Sequence, residues 1–449
     1  MDFSIYSIIQ FFIVLGFLGH VLTIKKSSTS TLAWLLIILI QPYIGLPLYL
    51  LFGSRKIVRK KPLIFPTSKL SMIHDPVQKI LVASGSPMPC HNAKMDFLEN
   101  GQIAYETLIS IIESAKKYIY LETFIFSNDK VGHLVLESLT KKAQSGVDVR
   151  ILLDSLGSIM PGHPSFKPFL KAGGKLSMFM PLIHKPFQGS ANLRNHRKLV
   201  VVDDEISMIG GMNIAEEYMG PTPKENRWVD LAMTIQGPLV FHIKDLFLFD
   251  WAFATKTEAK ITPKDALISD NDQHLAQLVM SGPDIQTDPI YELLLTAIYS
   301  AKKRIWMTTP YFVPDEALAK ALELATRRGV DVRLVIPHHS NHPVADFARQ
   351  SYLEQIHTAG AKIYLYPKMI HAKLTLIDDQ YAFIGSANMD SRSLLLNYEL
   401  GVCLYSTNDI KKLETWCEGV FEKSSTEIEP LTHAHKWFGR MARLVSPLL

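Results

Sequence analysis

The stretch that decides the fold of this 449-residue chain is His196-Arg197-Lys198-Leu199-Val200-Val201-Val202-Asp203, followed by Gly210-Gly211-Met212-Asn213. A second stretch repeats its key residues at the same spacing, with His371, Lys373, Asp378, Gly385, Ser386 and Asn388. Chance would supply the pattern His-x-Lys-x4-Asp on the order of 0.05 times in such a chain. The chain therefore contains a duplication, whose two copies are expected to act together.

The residue types of this motif indicate phosphate chemistry. A histidine can attack phosphorus or protonate a leaving oxygen near neutral pH. Lysine ammonium and asparagine amide groups can bind the non-bridging oxygens as charge develops. Each motif also begins a short apolar run, 199–202 or 374–377, that predicts a strand ending in an acidic turn. We therefore expect two histidines, two lysines and two asparagines around one phosphorus, with Ser386 beside Asn388 in the substrate-binding set.

The motif pair resembles the duplicated HKD motif of the phospholipase D superfamily, and the flanking sequence is similar to that of bacterial cardiolipin synthases. The resemblance covers nearly the whole chain. It rests on the motifs, Leu46-Pro47-Leu48-Tyr49-Leu50-Leu51-Phe52-Gly53, Thr309-Pro310-Tyr311-Phe312-Val313-Pro314-Asp315, Gly385-Ser386-Ala387-Asn388-Met389-Asp390-Ser391-Arg392-Ser393 and Ser446-Pro447-Leu448-Leu449. It implies an α/β fold: two phospholipase D-like α/β units related by a pseudo-twofold axis, with a shared active site, preceded by an N-terminal helical membrane segment.

The resemblance also implies roles for individual residues. His196 is assigned as the nucleophile and His371 as the general acid and base, although the symmetry of the motifs leaves their order open. Asp203 and Asp378 are counted with the catalytic set, although in related enzymes the motif aspartate acts mainly in the scaffold. An acidic residue further along each half is expected to orient the histidine ring. At corresponding distances these are Asp230 for His196 and Glu399 for His371, the alternative being solvated acids at strand ends.

Shorter repeated stretches of sequence support duplication of the whole fold. Ser114-Ala115-Lys116-Lys117 recurs as Ser300-Ala301-Lys302-Lys303, and Gly146-Val147-Asp148-Val149-Arg150 recurs as Gly329-Val330-Asp331-Val332-Arg333. Helical and apolar extended segments alternate in each half, which predicts a largely parallel sheet with helices on both faces. We place the first half at 62–255 and the second at 256–425.

The N-terminal part, 1–61, is predicted to anchor the protein in a membrane. Residues 3–24 and 31–53 are both apolar and long enough to span as helices, although Pro42, Gly45 and Pro47 also allow a broken or re-entrant second segment. The first stretch lacks the basic start and cleavage site of a signal peptide. More basic residues follow the second stretch (Arg55, Lys56, Arg59, Lys60, Lys61) than separate the two (Lys25, Lys26), which places the catalytic body in the cytoplasm. The basic cluster also suits anionic headgroups.

Two further segments leave alternatives open. The C-terminal tail, 426–449, is amphipathic and suits either the membrane interface or packing on the body. The segment between Pro181 and Asn195, with Pro186 and Gly189, suits either a lip over the site or a plain surface loop.

Neither a metal nor a nucleic acid is expected as a partner. The 3 cysteines form no C-x-x-C pair and suit a reducing compartment. A metal site is also improbable at His338, His339 and His342, for which the resemblance implies a place on the substrate-facing rim. The net charge of +4 does not call for nucleic acid.

The expected function is cardiolipin synthesis by phosphatidyl transfer between two phosphatidylglycerol molecules, without a cofactor, at a bacterial cell membrane. The alternative is a membrane-bound phospholipase D that uses the same residues with water. A nuclease and an inactive adaptor fit less well, because of the apolar segments and the intact motifs respectively. The sequence leaves open whether phosphatidylethanolamine is the donor, and it leaves open the oligomeric state.

Overall fold

The computed structural model describes residues 3–23, 28–53, 55–57, 63, 65, 71, 73–159, 162–180, 192–259, 261 and 274–427. The basic residues Lys25, Lys26, Arg59, Lys60 and Lys61 lie outside these ranges. So do most of the segment between Pro181 and Asn195, and the C-terminal tail from residue 428 onward. The expectations for those residues stay predictions.

Three helices open the chain: α1 (Phe3–Thr23), α2 (Ser28–Ile40) and α3 (Pro42–Phe52). The second apolar stretch is thus broken at Gln41, as Pro42 suits the first turn of a new helix. Gly45 lets α3 approach the end of α2 closely, because a Cβ there would lie 2.7 Å from the Ile37 carbonyl oxygen. Over the residues described with their side chains, no helix combines the length and apolar character needed to cross a membrane.

The first half supplies all the strands of a seven-stranded sheet, together with its helices. Its elements are α4 (Pro76–Ala83), β1 (Cys90–Asn92), β2 (Lys94–Leu98), α5 (Gly101–Ser114), β3 (Tyr118–Thr123), α6 (Lys130–Gln144), β4 (Asp148–Asp154), α7 (Ser155–Ile159), α8 (Lys167–Lys171), β5 (Lys175–Phe179), β6 (Leu199–Val202), β7 (Ile206–Gly210), β8 (Ala232–Gln236) and α9 (Leu239–Thr255). Asparagine and aspartate begin α5 and α6, since Asn100 and Asp129 accept hydrogen bonds from the first free N–H groups.

The second half repeats this order around an eight-stranded sheet. Its elements are β9 (His274–Ser281), α10 (Pro289–Ser300), β10 (Arg304–Thr308), β11 (Phe312–Val313), α11 (Glu316–Arg327), β12 (Asp331–Pro337), α12 (Pro343–Thr358), β13 (Lys362–Tyr366), β14 (Leu374–Ile377), β15 (Tyr381–Gly385), β16 (Met389–Asp390), α13 (Ser391–Leu395), β17 (Glu399–Leu404) and α14 (Thr407–Glu422). The duplication expected from the sequence is therefore present in the fold.

The sheets are mixed, and the expectation of largely parallel sheets is wrong. Their strand orders are β2-β8-β7-β6-β3-β4-β5 and β1-β9-β17-β15-β14-β10-β12-β13. Within these two sheets, as far as the structure describes them, only β3-β4-β5 and β10-β12-β13, which are joined by helical crossovers, run parallel. A separate two-stranded sheet pairs β11 with β16, also in parallel. Each motif strand instead turns directly into the next, so β6 pairs antiparallel with β7 and β14 with β15.

The two halves share a core. Helix α9 lies between the sheets, and its Val240, Ile243 and Phe247 belong to one buried apolar cluster with Val201 of β6 and Leu376 of β14. At the start of the body, β1 crosses to the second sheet and pairs with β9, while β2 pairs with β8 in the first. Helix α4 packs with α10 of the second half. The motif strands are thus fixed on opposite sides of one interface.

Candidate active site

Each motif histidine is held by a backbone bridge to the other half of the chain. In the first motif Asn195 pairs in parallel with Tyr398, the His196 N–H donates to the Tyr398 carbonyl at 2.9 Å, and the Tyr398 N–H donates to the Arg194 carbonyl at 2.9 Å. The segment that carries His196 therefore lies directly beside the segment that carries Glu399.

The second motif repeats this bridge with the halves exchanged. Ile370 pairs in parallel with Val229, the His371 N–H donates to the Val229 carbonyl at 2.6 Å, and the Val229 N–H donates to the Met369 carbonyl at 2.9 Å. The two bridges obey the pseudo-twofold relation residue for residue. Both histidines consequently lie at the interface between the halves.

The bridges exchange the carboxylates between the histidines. His196 Nδ1 lies 3.1 Å from Glu399 Oε2, and His371 Nδ1 lies 2.7 Å from Asp230 Oδ2. The predicted pairing of Asp230 with His196 and of Glu399 with His371 is therefore wrong. Distance along the chain suggested a partner within the same half, whereas the parallel bridges place the carboxylate of the opposite half beside each ring. The prediction that both acids face histidines agrees with this geometry.

The carboxylates set the tautomer of both rings. Burial alone would raise the pKa of Glu399 and Asp230, but the charge of the facing histidine and the neighbouring lysine lowers both pKa values below their usual range. An ionised carboxylate can only accept, so Nδ1 of each histidine carries a proton. Nε2 of each ring therefore carries a lone pair, which on His371 faces Lys373 Nζ at 3.0 Å.

Aromatic side chains enclose the two rings unequally. The His371 ring lies between Tyr218 and Trp228 of the first half, with centroids at 5.0 and 5.5 Å, whereas the His196 ring meets Phe124 at 5.1 Å. Burial, assisted by Lys373, lowers the pKa of His371 to about 3. Burial also lowers the pKa of His196. Both rings are therefore neutral at pH 7. These aromatic neighbours could not be predicted from the motifs, because they are distant along the chain from the histidines that they contact.

The motif lysines are buried beside the histidines. Lys198 Nζ donates to the His196 carbonyl at 2.8 Å, and Lys373 Nζ lies 3.0 Å from His371 Nε2. Burial lowers the pKa of Lys198 to about 7 and that of Lys373 to about 8. An anion in this site would favour their charged forms, since opposite charges stabilise each other strongly in a dry environment.

Asn213 and Asn388 are buried in equivalent positions, but their contacts differ. Asn213 Oδ1 accepts a hydrogen bond from the Ile125 N–H at 3.2 Å, which fixes the amide and leaves its NH2 group as donor. Within the described residues, Oδ1 of Asn388 has no hydrogen-bond partner. Their role in binding substrate oxygens stays a prediction.

Gly211 and Ser386 adapt the two halves to carboxylates of different length. A Cβ at Gly211 would lie 2.3 Å from Asp230 Oδ1, the atom to which the Leu231 N–H donates at 2.7 Å. At the equivalent position, the Ser386 hydroxyl donates to Glu399 and accepts from the Leu400 N–H at 3.0 Å. The hydroxyl thus joins the backbone N–H to the carboxylate in the second half. This use of the Ser386 proton differs from the predicted substrate contact.

Asp203 and Asp378 lie at the far ends of the motif strands, roughly 16 Å along the strand from the lysines. Asp203 accepts the backbone N–H groups of Lys116, Lys117 and Tyr118 at 2.5, 2.8 and 2.7 Å. Asp378 binds residues 302–304 in the same way, at 2.8 to 2.9 Å. Each aspartate thus ties its motif strand to the turn before the neighbouring strand, which agrees with a role in the scaffold. Their inclusion in the catalytic set stays a prediction.

The His338–His342 segment forms a polar loop before α12. The Tyr311 hydroxyl donates to Asn341 Oδ1 at 2.5 Å, and its ring meets that of His342 at 5.2 Å. Tyr311 directly precedes β11, which pairs with β16 just after Asn388. The place of this loop on the substrate-facing rim stays a prediction. Among the described residues, no group of three or more histidine, cysteine or acidic side chains is arranged to hold a metal ion.

This arrangement suits displacement at phosphorus. Two neutral histidines, each with Nδ1 held by a carboxylate, meet two buried lysines at one interface. One ring can attack phosphorus while the other exchanges protons with the departing and entering oxygens. The lysines can balance the charge of the phosphate oxygens.

Comparisons with known proteins agree with this geometry. Residues 108–244 and 294–421 match the family described as cardiolipin synthase, PLD-like domain, and residues 12–54 match phospholipase D-nuclease N-terminal. Cardiolipin synthase 1 of Bacillus anthracis is 34% identical, over 95% of this chain and 90% of its own length. Cardiolipin synthase of Listeria welshimeri is 31% identical, over 95% of both chains.

The fold also occurs in a solved structure. Phosphatidylserine synthase of Haemophilus influenzae superposes with a TM-score of 0.65 at 16% identity, over 85% of this chain and 100% of that chain. At this identity the likeness concerns the fold alone. The family match over more than half of the sequence, together with the two relatives that span nearly all of it, shows that the chain belongs to the cardiolipin synthase family with phospholipase D-like domains.

Proposed function

We propose that this protein is a phosphatidyltransferase that converts two phosphatidylglycerol molecules into cardiolipin and glycerol through a phosphohistidine. The observation that carries the proposal is the single interface at which both motif histidines meet the carboxylates of the opposite half. The names of the relatives supply the substrate class.

In the first step Nε2 of His196 attacks phosphorus, and the bond from phosphorus to the glycerol oxygen breaks. His371 gives the proton that makes glycerol a good leaving group. The low pKa of His371 means that the ring has to take up this proton from solvent as the substrate binds. The phosphodiester anion favours it, because an opposite charge in a buried site raises the pKa of an imidazole. Asp230 then stabilises the imidazolium through Nδ1.

In the second step the terminal hydroxyl of another phosphatidylglycerol attacks the phosphohistidine. His371, now neutral, takes the hydroxyl proton, and the bond from phosphorus to His196 breaks. Lys198 and Lys373 balance the charge of the phosphate oxygens in both steps, with the buried amides of Asn213 and Asn388 as further donors. One phosphodiester replaces another, so the direction of reaction follows the supply of lipid and the removal of glycerol.

The alternative, hydrolysis to phosphatidic acid, uses the same groups with water in the second step. The relatives that match this chain nearly end to end favour transfer to lipid. A site that delivers a second lipid also needs to exclude water, and the small exposed fractions of the histidine side chains, 12% for His196 and 5% for His371, agree with this requirement.

We further propose that the N-terminal helices anchor the protein in a bacterial cell membrane, with the catalytic body on the cytoplasmic side. Many of their large apolar side chains are exposed, among them Phe11, Phe12 and Leu39 at 62%, 63% and 63%. Such a surface is costly in water and favourable in lipid.

The test uses the purified full-length protein and phosphatidylglycerol labelled in its headgroup glycerol. We expect labelled cardiolipin and free labelled glycerol in equal amounts, unchanged within about a few-fold by excess EDTA. Phosphatidic acid as the main product would favour the hydrolase, and an absolute requirement for a divalent cation would overturn the mechanism. Phosphatidylethanolamine offered beside phosphatidylglycerol identifies the donor, and His196→Ala is the inactive control.

A further inference from the structure

The segment that leaves the N-terminal helices is bound firmly to the second half. Lys56 Nζ donates to the carbonyls of Ile285 and Thr287 at 2.6 and 2.8 Å and to Asp288 Oδ1 at 2.9 Å. The Ile57 N–H donates to the Pro283 carbonyl at 2.8 Å. The Lys56 ammonium therefore closes the loop formed by residues 282–288, which we call the 282–288 loop.

Arg55 extends this contact to a second segment. Its guanidinium forms an ion pair with Asp288, and Nε donates to the Leu395 carbonyl at 3.0 Å, at the end of α13. Leu395 lies four residues before Glu399 in the chain. Arg55 thus joins the 282–288 loop to the segment that leads into Glu399.

The 282–288 loop begins beside Glu399. Its preceding residue, Ser281, is the strand partner of Glu399 in the pairing of β9 with β17. Arg197 Nη2 donates to the Ser281 carbonyl at 3.0 Å, and its Nε donates to the Glu399 carbonyl at 3.2 Å. Gly282 lies against Tyr398, since a Cβ there would be 2.8 Å from the tyrosine ring. The exit of the N-terminal helices therefore holds the segment that precedes Glu399 and the loop that follows its strand partner Ser281.

We propose that Lys56, with Arg55, is a positioning residue that fixes Glu399 against His196, so that the exit of the N-terminal helices is part of the catalytic apparatus as well as a connection to the anchor. This inference rests on the proposed phosphatidyl transfer. It also changes the meaning of the basic cluster after the second apolar stretch, because Arg55 and Lys56 face the protein.

Replacing Lys56 by methionine keeps much of the side-chain volume but removes the ammonium. We expect Lys56→Met to lower kcat about tenfold and to leave KM within about twofold, since the loop supports His196 without touching substrate. The measurement uses short-chain phosphatidylglycerol dispersed in detergent, so that loss of membrane binding cannot reduce the rate.

A pH profile separates positioning from general destabilisation. The charge of Glu399 raises the pKa of His196 against the effect of burial. A looser contact lowers that pKa, so the acid limb of kcat/KM, which reports neutral His196, should move to lower pH. Lys56→Arg keeps the charge and should recover most of kcat and the position of the limb.

Lys244→Met is the matched control, because it removes another part-buried lysine that pairs with an aspartate, Asp204, away from Glu399. We expect it to change neither kcat nor the acid limb. An unchanged kcat and profile in Lys56→Met, or equal changes in Lys244→Met, would overturn the inference. If Lys56→Met does not fold, Asp288→Asn loosens the same contact from the loop side and should give the same profile. Failure of the wild type to form cardiolipin would sink the proposed function instead.

Discussion

The exchange of carboxylates between the halves predicts which variants behave alike. Asp230→Asn removes the charge that holds His371, the proposed acid, and Glu399→Gln removes the charge that holds His196, the proposed nucleophile. A hydrogen bond to a charged group contributes about 1.5–3 kcal/mol. A tenfold change in rate corresponds to about 1.4 kcal/mol, so each substitution should lower kcat/KM for phosphatidylglycerol by about 10- to 100-fold.

A second substrate separates the two losses. A phosphatidyl ester of p-nitrophenol has a leaving group that departs without protonation, so its first turnover needs the nucleophile but not the acid. In a rapid-mixing assay of p-nitrophenol release, His371→Ala and Asp230→Asn should regain most of the activity that they lose on phosphatidylglycerol. His196→Ala and Glu399→Gln should remain as impaired as on phosphatidylglycerol.

The histidine variants establish the roles, and the carboxylate variants then establish the pairing. Recovery of Glu399→Gln together with His371→Ala, while Asp230→Asn stays impaired, would refute the exchanged pairing. Recovery of His196→Ala and Glu399→Gln together would reverse the roles and keep the pairing. Asp409→Asn is the matched control, because Asp409 is a buried carboxylate that lies 2.7 Å from His274 Nδ1 outside the site. Asp409→Asn should not change the ratio of the activity on the p-nitrophenyl ester to the activity on phosphatidylglycerol.

Three further outcomes follow from the site. A lysine is charged only below its pKa, and burial lowers the pKa of Lys198 to about 7 and of Lys373 to about 8, so kcat/KM should fall as pH rises through this range. A pH profile that stays flat through the alkaline range would contradict this. Gly211→Ala places a Cβ 2.3 Å from Asp230 Oδ1 and should reduce kcat more than about tenfold with little change in melting temperature; full activity would argue against the tight fit. Asp203→Ala leaves three backbone N–H groups without their acceptor, so it should lower the free energy of unfolding by about 3 kcal/mol in denaturant titrations. The folded fraction should keep its kcat. A loss of kcat without loss of stability would place Asp203 in the catalytic set.

The sequence predicted the parts of the site that lie close together in the chain. Histidine and lysine two residues apart, followed by a β-branched run, predict one strand and one phosphate-binding end, and the repeat predicts the second. The direction of the strands was harder to predict from the sequence. The antiparallel pairing of β6 with β7 depends on a hairpin in which Asp203 and Asp204 adopt φ of 54° and 62°.

The pairing of the acids could not be predicted from spacing, because it depends on which segments meet across the interface. Only the bridges of Asn195 with Tyr398 and of Val229 with Ile370 show that Glu399 faces His196 and Asp230 faces His371. The aromatic neighbours of His371 could not be predicted from the sequence for the same reason. A pseudo-twofold axis with both motifs at the interface is the signal that should have suggested an exchange, since such symmetry allows partners from either half.

The central claim, that two motifs build one site, is tested most directly by counting the covalent intermediate. His371→Ala, which keeps the nucleophile but lacks the base for the second step, is incubated with the phosphorus-labelled p-nitrophenyl ester and quenched in alkali, in which a phosphohistidine survives. The account predicts one label per chain, located on His196 by peptide mapping. The wild type, quenched rapidly after mixing with the same ester, should also carry no more than one label per chain; two labels per chain, one at each motif, would contradict a shared site.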